Sequence, residues 1–75
     1  MGQNTFSNIS EYDLLITREC YENMKANLKV TRLCFTGSPA FQDHVNICQE
    51  KIVRISLLLD AVLMELSLRE IKKNV

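Results

Sequence analysis

The side chains best equipped for chemistry are His44 and Cys48, four residues apart and on one face of any helix that holds both, with Cys34 a short distance upstream. A zinc ion needs soft nitrogen and sulfur ligands, usually four in a structural site and three in a catalytic one, often with paired cysteines two residues apart. His44, Cys48 and Cys34 lack a fourth ligand and any CxxC pair. Cys48 also falls on an apolar stripe, where a thiol packs as a small hydrophobe. Nucleophilic catalysis would pair a cysteine with the single histidine inside a pocket with oxyanion donors, and two straight helices offer no such pocket. The carboxylates Glu19 and Glu22, and Asp43 and Glu50, alternate with Arg18, Lys25 and Lys51 at spacings typical of a solvated helix face. No glycine-rich phosphate loop is present. These residues predict a protein without catalytic, metal or cofactor chemistry, so the expected activity is binding.

The elements that position them are few. The chain has 75 residues, two glycines and one proline, and apart from Gly2 these breakers sit together in Thr36-Gly37-Ser38-Pro39. Gly37 can end a helix in the left-handed conformation, and Ser38 with Pro39 can start the next. Ser7 or Asn8 is the expected cap of the first helix, with Glu11 and Asp13 in its opening turn. The spacing predicts one domain over 1–75: helix 1 near 8–35, a loop at 36–38 and helix 2 near 39–72. The class is all-α, a two-helix antiparallel hairpin of coiled-coil type.

Helix 2 carries a heptad stripe in Phe41, Val45, Cys48, Ile52, Ile55, Leu59, Val62 and Leu66, alternating steps of four and three. Helix 1 answers with Leu14, Tyr21, Leu28 and Phe35, and with Thr17, Met24 and Thr31 between them. A further set, Ile9, Tyr12, Ile16 and Cys20, lies on another side of helix 1. Helix 2 also has a surplus stripe, Leu57, Ala61, Met64, Leu68 and Ile71, that belongs to no hairpin seam. An apolar patch of about 400 Å² would contribute up to ~10 kcal/mol on burial, before ordering and association costs are subtracted. The surplus stripe is therefore the expected partner-binding face, with Tyr12 and Ile16 as secondary contacts.

Charge and targeting signals narrow the partner. Nine basic and nine acidic residues cancel, which leaves no net field to draw nucleic acid or anionic lipid. Three cysteines, an odd number with no CxxC pair, and an N-terminus without a basic region and apolar run, predict free thiols in a reducing cytosol. The apolar run Ile55–Leu68 is too short for a bilayer and contains Asp60 and Glu65. Met1-Gly2 begins a myristoylation pattern, but Phe6 stands where Ser or Thr is required. Asn8-Ile9-Ser10 matches a glycosylation tripeptide that matters only in a secreted chain.

A helix, a short glycine loop, the pair Phe41-Gln42 and a long helix running through Ile55-Ser56-Leu57-Leu58-Leu59-Asp60-Ala61-Val62-Leu63-Met64-Glu65-Leu66 together resemble the YscE/PscE-like co-chaperones of type III secretion needle proteins. The resemblance covers about Glu11 to Leu66. It implies a small cytoplasmic bacterial hairpin that binds a tetratricopeptide-like chaperone and helps keep a needle subunit soluble and unpolymerised before export. The residues themselves leave a second possibility open, a homodimeric four-helix bundle acting as a small regulator or adaptor.

Overall fold

The computed structural model describes residues 6–74; the Met1-Gly2 pattern lies outside them. Two antiparallel helices, α1 (Glu11–Phe35) and α2 (Gln42–Lys73), are joined through a single 3₁₀ turn at Pro39–Phe41. The hairpin is a rod of 54 × 24 × 16 Å, the all-α architecture expected from the single internal break. Gly37 sits at the bend with φ of +90°, a conformation that costs an L-residue strain.

Three local features differ from expectation. α1 begins at Glu11, not near residue 8, because Ser10 is its cap and accepts the Asp13 N–H at 3.1 Å. This cap contributes about 1 kcal/mol. Ile9 before the cap and Leu14 in the first turn meet in one cluster, a hydrophobic staple that fixes how the chain enters the helix. Ile9 is therefore not on a helical face with Tyr12 and Ile16. At the other break, Pro39 opens the 3₁₀ turn as its ring geometry favours, but the Ser38 side chain makes no capping bond, and regular α-helix starts only at Gln42.

The α2 seam follows its heptad. Cys48, Ile52, Ile55, Leu59 and Val62 are buried, and Val45 and Leu66 are half-buried. Phe41 is the exception: 41% exposed, it stacks on Phe35 at 4.9 Å and on His44 at 5.7 Å between ring centroids, closing the loop end with three rings. The α1 seam is rotated from the expected one. Leu14, Tyr21, Leu28 and Phe35 face inward, but the residues between them are Arg18, Lys25 and Arg32, all half-buried, while Met24 and Thr31 are exposed. Thr17 is half-buried and spends its hydroxyl on the Asp13 carbonyl at 2.7 Å. A long basic side chain can lay its aliphatic stem on apolar surface and keep its charge in water, which a threonine cannot. Arg32 shows the arrangement, with its Nη1 donating to Gln49 Oε1 across the hairpin.

The best-buried cluster is at the far end. Phe6, Leu14 and Val62 form its centre, with Ile9, Tyr21, Ala61 and Leu66 against it. The arm before α1 (residues 6–10) thus folds back over α2 in place of extending the helix. Arg69 holds it: Nη2 donates to the carbonyls of Phe6 (3.4 Å), Ser7 (3.2 Å) and Ile9, and Nε donates to Glu65 Oε2 at 2.8 Å. Nearby, Lys73 Nζ donates to Glu11 Oε1 at 2.7 Å. That hydrogen bond, with the Lys73 charge behind it, holds the Glu11 carboxyl below its ordinary 4.5, and the same bond with the Glu11 charge lifts Lys73 above 10.5.

The pH consequence has a definite sign for each group. The depressed carboxylate contributes stability that is complete above the unfolded Glu11 pKa and lost as pH falls through the lower folded value. The raised ammonium contributes stability that is complete below the unfolded Lys73 pKa and lost as pH rises through the folded one. Both groups are solvent-exposed, so the effect is small. An NMR titration should place the Glu11 midpoint below that of a reference peptide. The difference should shrink at about 1 M salt, where screening acts within about 3 Å.

Candidate partner-binding face

The surplus stripe of α2 lies on the side turned away from the seam. A helix advances 100° per residue, which puts Leu57, Met64, Leu68 and Ile71 roughly opposite Ile55, Leu59 and Val62. Their exposures agree: Leu57 65%, Met64 61%, Ile71 60% and Leu68 45%. Val53, 49% exposed, extends the face by one turn toward the loop. The sequence stripe omits it, although its spacing from Leu57 is helical. Leu58 and Leu63 flank the face at about 40% exposure each.

Ala61 behaves differently from its neighbours on the stripe. It is half-buried and packs against the Phe6–Leu14–Val62 cluster, because the folded-back arm covers that flank of α2. The open face is therefore Val53, Leu57, Met64, Leu68 and Ile71, with Ala61 at its edge. Glu65, which the sequence places among the polar residues of this stretch, is buried at 8% and satisfied by Arg69. On α1, Tyr12 at 73% and Ile16 at 43% are exposed, as are Val30 at 61% and Leu33 at 69%. These α1 residues are separated by Glu19, Asn23 and Asn27 and form no continuous apolar band.

The residues first weighed for chemistry are dispersed. Cys48 is buried in the seam, Cys20 and Cys34 are exposed thiols, and His44 stacks with the two phenylalanines of the loop end. Among the described residues, no three His, Cys, Asp or Glu side chains stand close enough to hold a metal ion. The carboxylates Glu19, Glu22, Asp43 and Glu50 are all exposed. No helix among the described residues is long and apolar enough to cross a membrane.

The arm and its clasp are the structural elements that sequence reasoning missed. Phe6 and Ile9, three apart and just upstream of a Ser-x-x-Asp cap, are the signal that reveals a staple. No known protein family, curated protein or solved structure matches this chain.

Proposed function

We propose that the hairpin is a non-catalytic protein-binding module that lays the outer face of α2 into an apolar groove of a partner, in the role of a cytoplasmic bacterial secretion co-chaperone. The observation that carries this reading is the outer face itself: four large apolar side chains, each at least 45% exposed, over four turns of one helix. Water contact on such a band is unfavourable, and helix-in-groove docking removes it with anchors at the spacing this stripe has. The hairpin layout supports the more specific role. The partner would be a tetratricopeptide-like chaperone, and the pair would keep a needle subunit soluble and unpolymerised until export.

Co-expression with a tetratricopeptide-like chaperone encoded beside it should yield a heterodimer that survives gel filtration. The double change Leu57→Asp, Met64→Asp should weaken that complex by at least about 100-fold, since central apolar anchors contribute about 2 kcal/mol or more each. Both residues are exposed, so the helical content of the variant should be unchanged. A monomer that ignores the chaperone, or a complex indifferent to the double change, would overturn the reading.

One observation favours a second reading, self-association into a four-helix bundle. The exposed residues Leu57, Met64, Leu68 and Ile71 follow one another at steps of seven, four and three, the period of a coiled-coil seam. Light scattering separates the two: a dimer persisting at micromolar concentration and dissociated by the same double change supports self-association.

A further inference from the structure

The folded-back arm fills only one end of a longer trough. Arg54, Leu58, Ala61, Glu65 and Arg69 follow one another at steps of four, three, four and four, so they form one row along the flank of α2. The arm covers the Ala61–Arg69 end. Toward the loop the trough continues open as a groove of about 520 Å³, floored by Met24, Leu28, Ile55 and Leu58 and rimmed by Asn27, Lys51 and Arg54.

The occupied end shows what the trough accepts. A large apolar side chain, Phe6, enters between the helices, and an arginine of the row donates to the carbonyl oxygens beside it. The open end repeats this arrangement, with an apolar floor and Arg54 above it. It differs in having a second cation, Lys51, one helical turn away. Among the described residues neither Lys51 nor Arg54 has an ion-pair or hydrogen-bond partner, and Glu50, four residues before Arg54, does not engage it. Two unpaired cations at the lip of an apolar groove complement an anion attached to an apolar group.

We infer that the open groove is a second docking site, distinct from the outer face of α2, for a protein segment that places a bulky apolar side chain between Leu28 and Ile55 and a neighbouring carboxylate on Lys51 and Arg54. The segment binds as the arm does, in short irregular backbone, and does not displace the arm. The two sites lie on different sides of α2, so one hairpin can hold a groove-bearing partner on its outer face and an apolar, acidic segment on its flank.

The test uses the whole chain, isotope-labelled, titrated by NMR with two probes: acetyl-Leu-Asp-Phe amide and acetyl-Leu-Lys-Phe amide. The expected result is saturable shifts at Met24, Leu28, Ile55 and Leu58, with the Asp peptide preferred roughly fivefold, as exposed ion pairs allow. In the double variant Lys51→Glu, Arg54→Glu the preference should reverse. In Lys51→Ala, Arg54→Ala, which adds no new charge, it should vanish while helicity is kept. The inference is overturned by no saturable shift at these four residues, by shifts centred on Leu57, Met64 and Leu68, or by a preference that ignores both variants. Loss of the co-chaperone complex in Leu57→Asp, Met64→Asp should leave this titration unchanged, so the two sites fail separately.

Discussion

Leu14→Ala should cost about 3 kcal/mol and clearly lower the unfolding midpoint of the chain. Leu14 is fully buried between Phe6 and Val62 and is also the helix side of the staple with Ile9. Truncation removes its transfer energy and leaves a cavity that two stiff helices cannot close, the circumstance in which such changes cost about 2–5 kcal/mol. A chain of this size has roughly 4–11 kcal/mol in total at ordinary per-residue values. The loss thus takes a large share, and urea melts followed by far-UV circular dichroism should show it as a lower midpoint. Leu33→Ala, at a position 69% exposed, should move the midpoint by less than about 0.5 kcal/mol. Equal effects at the two positions would mean that the Phe6–Leu14–Val62 cluster is not the stabilising centre.

The second large effect is expected at Arg69. In Arg69→Met, three arm carbonyls lose the Arg69 donor and Glu65 keeps a nearly buried carboxylate without the guanidinium. Hydrogen bonds to a charged group contribute about 1.5–3 kcal/mol, and the orphaned carboxylate adds its own desolvation cost. Because the Arg69 side chain is 20% exposed and water can replace part of its role, about 2–3 kcal/mol is the expected loss. Its form should be local. Amide exchange should accelerate over residues 7–10 while the middle of α2 stays protected. Adding Glu65→Leu to Arg69→Met should recover part of the loss, since it removes the unpaired charge. No recovery, or an arm that remains protected in the single variant, would show that packing of Phe6 holds the arm without the clasp.

How much of this was legible in the chain depends on the element. The hairpin follows from one cluster of breakers in an otherwise helix-compatible sequence, and the α2 seam follows from β-branched and leucine residues at strict four-three steps. Both are properties of the covalent chain, because helical periodicity is local. The exposed stripe at Leu57, Met64, Leu68 and Ile71 was equally legible, since it is whatever apolar surface the seam does not use. Val53 was missed for want of an apolar neighbour at the preceding step.

The α1 seam was not legible, for a physical reason. Periodicity ranks residues by polarity, and Arg18, Lys25 and Arg32 rank as surface. Yet each combines an apolar stem with a charged tip, and which part matters is decided by the surface it lies on. Only the position of α2 turns those three stems inward and leaves Met24 outside.

The N-terminal arm has the same origin. Ser7, Asn8 and Ser10 are all acceptable caps by residue type, and the contact of Phe6 and Ile9 with Leu14 and Val62, some 50 residues away in the second case, selects Ser10. Spacing alone therefore specifies two helices, where they break and which stripe of α2 is surplus. Tertiary contact decides where α1 starts, that its basic residues line the seam, that Ala61 is covered and Glu65 buried, and that a trough along the flank of α2 is half filled by the chain's own arm. Those outcomes depend on side chains that can satisfy either environment, and for such residues the neighbour across the fold makes the choice.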